Sequence, residues 1–336
     1  MNSELIFYFL INFLIFFLFA KIGYALKLID KPDKRKIHPI ATTYAGGVAL
    51  SSILVISILL FDIYDPKLNL ILSSAFLISL VGFIDDKYSL NVGGKLSLQV
   101  IPIFYLIVVN DLMLTNIGNY ENFNLKLGTF AAPFTLFSVL FLINAFNYFD
   151  GLDGTLTLTA ISVICILIFL TDEHNFDLFF KLILTSLGIF LFFNFSFFKL
   201  PKMFLGDSGS LTIGFIISFV LIHISKQNLV HPILLAWSIV IFAYEFISIN
   251  ILRILNKKAL FKAGQDHLHH LFFKHNNSIL LTNLYMCTLN VFLFIIGYLS
   301  FQLISPLVSL ILFTILFIIF LFFRNLYFLK DSIKPK

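Results

Sequence analysis

Long runs of Ile, Leu, Phe and Val alternate along this chain with short polar breaks. A helix that crosses a bilayer needs about twenty apolar residues. On that measure the pattern predicts about eleven spanning helices, near residues 4–26, 45–62, 69–84, 96–110, 130–147, 155–171, 177–196, 209–225, 231–252, 281–301 and 305–323. The third and fourth runs are short. No segment repeats at a period of about twenty to fifty residues, and no stretch reads as a linker or a soluble domain. The expected fold is all-α: one polytopic integral membrane domain over residues 1–336. The first residues carry Glu4 and no Lys or Arg ahead of the apolar run, and no small-x-small cleavage site follows it. The run therefore reads as a retained first helix and not as a signal peptide.

Charge adds an orientation to this pattern. Only 12% of residues are charged and 59% are hydrophobic, with 44 Phe, which removes a soluble domain from consideration. The formal net charge is +5, and its distribution matters more than its size. One set of loops holds Lys27, Lys31, Lys34, Arg35 and Lys36, then Lys87 and Lys95, then Lys199 and Lys202, then Arg253, Lys257, Lys258, Lys262 and Lys274, with Arg324, Lys330, Lys334 and Lys336 in the tail. The alternate loops hold Lys67, Lys126 and Lys226 among Asp62, Asp65, Asp111, Glu121, Asp172 and Glu173. Basic loops stay in the cytoplasm. The N-terminus is then expected outside, in the periplasm, and the C-terminus in the cytoplasm, as an odd number of spans requires. Cys165 and Cys287 lie far apart in apolar runs and give neither a disulfide framework nor a thiolate metal site.

Four polar clusters interrupt the greasy chain, and all four fall on the predicted cytoplasmic side. Polar groups at membrane depth are costly, so such clusters mark functional sites. Asp85-Asp86 follows the third span. Carboxylates at a helix C-terminus face the negative end of its dipole and need a compensating cation. Mg²⁺ takes such oxygen ligands and shares its shell with water and phosphates; solvated acids beside Lys87 are the plainer reading. Asn144-Ala-Phe-Asn-Tyr-Phe-Asp-Gly-Leu-Asp-Gly154 joins the fifth and sixth spans. Gly151 and Gly154 permit tight turns around Asp150 and Asp153, and Asn144 and Asn147 share a face if helical. Ile161 stands where a calcium-binding EF-hand loop needs a glutamate, which excludes that loop. An Asp N-cap explains one of these acids and not the rest.

Gly206-Asp207-Ser208-Gly209-Ser210 opens the eighth span. It nearly matches the segment around a trypsin-like nucleophile, but a helix junction in a membrane chain is a different setting. Free N–H groups at a helix start can receive a phosphate, and Asp207 would add a carboxylate for a metal; an ordinary Asp or Ser N-cap is the alternative. His267, His269 and His270 follow Lys257, Lys258, Lys262 and Asp266. Without a loop Cys, a structural zinc site lacks its common ligands. Imidazoles beside lysines suit phosphate oxygens or proton donation, with a surface amphipathic helix as the alternative. The basic run Lys31–Pro39 reads as an orientation signal or as a contact for anionic headgroups or nucleotides. Lys95 and Gln99 lie on one face of the fourth span.

In this order the motifs resemble the polyprenyl-phosphate sugar-1-phosphate transferase superfamily (glycosyltransferase family 4). The match runs over nearly the whole chain: Arg35-Lys36-x-His38 with Gly46-Gly47, Asp85-Asp86, Lys95 and Gln99, Asn144-x-x-Asn147-x-x-Asp150-Gly-x-Asp153-Gly154, Phe204-Leu-Gly-Asp207-Ser-Gly-Ser210, and His267-x-His269-His270. Gln265-Asp266-His267-Leu268-His269-His270 looks like the bacterial undecaprenyl-phosphate GlcNAc-1-phosphate transferases; the phospho-MurNAc-pentapeptide branch usually carries three consecutive histidines. Two positions depart from the family: Ile40-Ala-Thr-Thr-Tyr44 lacks the proline usual before the double glycine, and Thr155 stands where an apolar residue is usual.

The resemblance implies a bacterial inner-membrane enzyme with a cytoplasmic active site. It would transfer N-acetylhexosamine 1-phosphate, GlcNAc favoured, from a UDP-sugar to undecaprenyl phosphate. The products are undecaprenyl diphosphate-sugar and UMP, the first membrane step of a glycan such as O-antigen or teichoic acid. UDP-sugars of FucNAc or QuiNAc, or a phospho-MurNAc-pentapeptide donor, are the alternatives. The implied cofactor is Mg²⁺, with Mn²⁺ as the alternative ion. The lipid bilayer is the setting, a homodimer is compatible, and no nucleic acid is involved. By the same resemblance Asp207, Asp85 and Asp86 are metal ligands. Asp150, His267, His269 and His270 are the other catalytic residues. Lys95, Asn147, Gly151, Leu152, Asp153, Phe204, Arg35 and His38 bind substrate, with Asp153 and Phe204 toward the uracil. A secondary transporter is the competing class, but its acids gather near the midplane and its halves often repeat.

Overall fold

Apolar runs in lipid fold as helices because a helix satisfies its own backbone. The computed structural model describes residues 2–30, 41–121, 123–171, 174–258, 264 and 266–333. Helices α1 to α8 are Asn2–Ala25, Gly46–Leu60, Pro66–Tyr88, Val92–Phe104, Ala131–Tyr148, Thr155–Leu170, His174–Asn194 and Gly206–Lys226. They are followed by α9 (Pro232–Ser238), α10 (Val240–Leu255), α11 (Leu268–Asn276), α12 (Ile279–Leu303) and α13 (Pro306–Ile333). Among the described residues, eight helices are long and apolar enough to cross a membrane; α9 and α10 together form a bent ninth, and α2 and α6 are shorter apolar helices. Each predicted run corresponds to one of these units.

Two of these runs differ from the sequence reading, each for a physical reason. The third run extends to Pro66–Tyr88 because Asp65 caps it, accepting a hydrogen bond from the Lys67 N–H with Pro66 in the first turn. Asp85 and Asp86 therefore lie inside the last turns of α3 and not after it. The ninth run is broken by 74° between α9 and α10. Asn290 of α12 fills the break: its amide donates to the Ser238 carbonyl (3.1 Å) and to Ser162 Oγ (3.2 Å), and its oxygen accepts from the Ile241 N–H (3.4 Å). Two small ribbons also form, β1 (Ile29–Asp30) with β2 (Thr42–Thr43) and β3 (Asn116–Tyr120) with β4 (Phe123–Lys126), both antiparallel.

Helix α8 is the axis of the bundle. Its spanning stretch is wholly buried, with α2, α3 and α5 packed around it, as a helix apolar on every side requires. Gly47 at the start of α2 packs onto the backbone of Gly209, where any side chain would collide. By contrast few residues of α13 are buried along its span, one face packing on the core and the other open, which suits a helix at the lipid boundary.

The starts of α2, α4 and α8 and the ends of α3, α5 and α7 meet at one end of the bundle. The Gly47 N–H donates to the Leu205 carbonyl (2.9 Å), and Asn194 at the end of α7 donates to the Met203 carbonyl (3.0 Å). At the opposite end, Asp65 before α3 pairs with His223 near the end of α8 at 2.6 Å, and Lys226 reaches Asp111.

Candidate active site

The start of α8 sets the site. Gly206 has φ +70°, a left-handed conformation, and a side chain there would meet Asp86 Oδ2 at 2.6 Å. Asp207 follows in the first turn. Its Oδ1 accepts from Asn147 Nδ2 at 2.9 Å, and its Oδ2 is held by Lys95 Nζ. Lys95 also pairs with Asp85 Oδ2 at 2.7 Å, so one ammonium lies between two carboxylates. The Asn147 amide donates as well to Ser210 Oγ at 2.8 Å. Asn144, one turn earlier, shares that face as predicted and donates to the buried Gln99 at 3.4 Å.

Asp85 and Asp86 face different partners. Asp85 holds Lys95 and accepts from the Leu90 N–H at 2.8 Å. Asp86 turns to α8 and accepts from the N–H groups of Asp207 (3.0 Å) and Ser208 (3.3 Å). The Ser208 N–H is one of the groups, with those of Gly209 and Ser210, expected from sequence to be free for a phosphate. The structure corrects that expectation: a buried helix start needs acceptors, and a carboxylate at the positive end of the dipole supplies them.

The segment after α5 carries the next acids. The Asp150 carboxyl has solvent access but protein on most sides. That desolvation, with the charges of Asp207 and Asp153, pushes it up to about 8. Asp153 pairs with Lys202 at 2.6 Å, and the Lys202 ammonium lies 5.4 Å from the centre of the Phe204 ring. Asn283 of α12 anchors the turn by donating to the Asp153 carbonyl (2.8 Å) and accepting from Thr155 Oγ1 (2.5 Å). Thr155, the departure from the usual apolar residue, is therefore a buried hydrogen-bonding group. Leu152 packs inside the protein.

The histidine segment closes onto this turn. A side chain on Gly151 would strike the imidazoles of His269 and His270. The rings of His267 and His269 stack, and His270 lies tilted against both, 4.3 Å from the ring of His269. Burial, then the neighbouring imidazoles, holds His269 well below the ordinary range and brings His270 down to about 4. Both rings are uncharged at neutral pH, and neither nitrogen of the buried His269 has a hydrogen-bond partner among the described residues.

All the predicted site residues that the structure describes thus gather at one end: Asp85, Asp86, Lys95, Asn147, Asp150, Gly151, Leu152, Asp153, Phe204, Asp207, His267, His269 and His270. Arg35 and His38 lie outside the described residues. Oxygen donors around a trapped cation fit the chemistry of Mg²⁺. Among the described residues no ready group of three or more His, Cys, Asp or Glu is set to hold a metal ion, since Lys95 stands between Asp85 and Asp207 and Asp86 is engaged with α8.

Sequence reasoning passed over Glu245, Asn283 and Asn290. Glu245 is a lone acid in an apolar span, a signal that alone was enough to mark it. Lys202 and Arg324 were read only as orientation charges, yet each is ion-paired in the folded chain.

Residues 68–225 match the profile of glycosyl transferase family 4, a stretch that includes the acids of α3, the segment after α5 and Asp207. An undecaprenyl-phosphate alpha-N-acetylglucosaminyl 1-phosphate transferase from Yersinia pestis is 28% identical over 278 residues, covering 81% of this chain and 76% of that protein. Its counterpart from Escherichia coli K12 is 26% identical over 277 residues, with 80% and 76% covered. A probable undecaprenyl-phosphate N-acetylglucosaminyl 1-phosphate transferase from Bacillus subtilis is 31% identical over 261 residues, with 74% and 71% covered. With the motifs in order and gathered at one end of an α-helical membrane bundle, the chain belongs to glycosyl transferase family 4, among the sugar-1-phosphate transferases.

Proposed function

We propose that this protein transfers N-acetylhexosamine 1-phosphate, GlcNAc favoured, from its UDP derivative to undecaprenyl phosphate. The observation that carries the reading is the meeting of separated acid and amide segments around Asp207, with the histidine segment packed on the adjoining Gly151 turn, in a chain whose relatives bear the name of that activity. An oxygen of the acceptor phosphate attacks the sugar-bearing phosphorus of the donor. A P–O bond forms to the acceptor. The P–O bond to the bridging oxygen breaks, and that oxygen leaves on UMP with its electron pair.

Two polyanions must be brought together, so the site needs positive charge. Lys95 supplies one cation, and its place between Asp85 and Asp207 marks where positive charge is held. Asp207 and Asp85, backed by Asp86, are the residues that would hold Mg²⁺ (Mn²⁺ is the alternative). The ion would supply charge neutralisation and polarise the diphosphate. Asn147 orients Asp207 through its amide. The acceptor phosphate arrives ionised, so Asp85 serves better as the partner of Lys95 than as a base. Asp153, with Lys202, Phe204, Gly151 and Leu152, faces the uridine, and the uncharged imidazoles of His269 and His270 donate N–H groups to the diphosphate, aided by His267.

In this reading eleven segments cross the bacterial inner membrane. The N-terminus lies outside, and the C-terminus and active end lie in the cytoplasm, where the basic loops are held. The product would be the first membrane-bound intermediate of a cell-surface glycan such as O-antigen or teichoic acid.

The test is UMP release by purified protein with undecaprenyl phosphate, Mg²⁺ and a panel of UDP-sugars carrying GlcNAc, FucNAc, QuiNAc and MurNAc-pentapeptide. UDP-GlcNAc should give the highest kcat/KM, and silence with every donor would refute the proposal. In the same assay Asp153→Asn should raise the donor KM by about tenfold with kcat nearly unchanged. A loss confined to kcat would remove Asp153 from the uridine site.

A further inference from the structure

His269 and His270 lie in the first turn of α11, which begins at Leu268, and His267 stands just before it. His267, at the N-cap position of α11, makes no capping hydrogen bond with its side chain. The acceptor comes instead from α10: Glu245 Oε1 takes the Leu268 N–H at 2.9 Å. The same carboxylate receives Arg324 of α13 through two parallel bonds, Nε to Oε2 and Nη2 to Oε1, both 3.0 Å. Arg324 also donates to the Asp266 carbonyl, and Glu245 lies 3.8 Å from His267 Nδ1. Glu245 is fully buried and Arg324 is 3% exposed, and among the described residues very few other charges are buried. A buried carboxylate is costly unless paired and fully hydrogen-bonded, and this one is both. Hydrophobic residues of similar volume would serve packing as well, so stability alone gives no reason for an ion pair at this position.

We infer that Glu245 and Arg324 are positioning residues, a buried ion pair that suspends His267, His269 and His270 over the catalytic acids. This rests on the reading of those histidines as holding the donor diphosphate. The pair acts at two points of one short segment, the carbonyl of Asp266 and the N–H of Leu268, so it fixes the backbone that bears His267. It ties the segment to α10 and to the outer helix α13. On the other side, Arg253 holds the Asp266 carboxylate (2.8 Å) and faces the Tyr148 ring. Carboxylates from two different helices therefore cap two of the helix starts of this end: Asp86 of α3 caps α8 and Glu245 of α10 caps α11.

The test uses the full-length protein in lipid nanodiscs. Glu245→Leu with Arg324→Leu removes both charges together and leaves no unpaired buried ion, so the fold is kept. Glu245→Gln is the second variant; it keeps an acceptor for Leu268 and loses the ionic hold on Arg324. Two quantities are read: amide hydrogen exchange over residues 266–276, and turnover per folded molecule. Exchange over that segment should rise about tenfold in the double variant while α8 keeps its protection. Turnover should fall by about 100-fold, since a shift of an ångström in a positioning group has that effect. Glu245→Gln should fall between the double variant and the wild type in both. Exchange at the wild-type rate in both variants would overturn the inference. So would a loosened segment with undiminished turnover, because the pair would then be structural only. The exchange measurement needs no substrate, so failure of the transferase reading, seen as an inactive wild type, is distinguishable from failure of this one. If the double variant does not fold, Glu245→Gln decides by the same two readouts.

Discussion

Asp85 and Asp86 are neighbours in sequence and do different work. One turns to the Lys95 ammonium and the other caps the start of α8. The dipeptide alone predicts a pair of equivalent ligands; only the crossing of α3 over α8 separates them. Asp150 carries a testable electrostatic consequence. Its carboxyl is pushed from the ordinary value near 4 up to about 8. The folded state therefore binds a proton across that window which the unfolded chain has already released. Its contribution to stability is complete below the ordinary carboxylate pKa and is lost as pH rises through about 8. With divalent ions chelated, the unfolding temperature should fall between about pH 4 and 8 and level off above it, and Asp150→Asn should flatten that slope. An equally steep slope in Asp150→Asn would show that the proton belongs elsewhere.

At the scale of elements, the break between α9 and α10 has a cause far away in sequence. Ser238, Ile239 and Val240 include neither Pro nor Gly, and nothing local announces a bend of 74°. Asn290 supplies the partners that the broken ladder lacks. Asn290→Leu should strip them from buried backbone groups and cost about 2–3 kcal/mol, read from thermal unfolding in detergent. An unchanged midpoint would mean that the break satisfies itself. The same contrast runs through the whole fold. The helices were legible because lipid imposes a length and an apolar composition on each. Asp207, Asp153 and the histidines were legible because polar groups stand out in such a chain. The cap from Asp86, the anchor from Asn283 and the clamp of Glu245 and Arg324 join residues far apart in sequence. No local pattern encodes those contacts. Lys202 was visible, but its partnership with Asp153 was not, because a loop lysine serves orientation equally well.

For the molecule as a whole, the site end and the basic loops coincide. Lys95, Lys202, Arg253 and Arg324 all pair with acids or contact rings there, while Lys226 and Asp111 meet at the opposite end. In a protein with Cys165 and Cys287 replaced by Ser, a membrane-impermeant maleimide applied to intact spheroplasts should label Lys126→Cys and leave Lys199→Cys unlabelled. The reverse pattern would turn the molecule over and place the site outside. Chemistry at that end is the central claim, and isotope exchange reads it most directly. Membranes containing the protein, given undecaprenyl phosphate, Mg²⁺, UDP-GlcNAc and radiolabelled UMP, should pass label into UDP-GlcNAc. Asp207→Asn should slow the exchange by about 100-fold or more. Absence of UMP-dependent exchange in the wild type, or an undiminished rate in Asp207→Asn, would contradict the account.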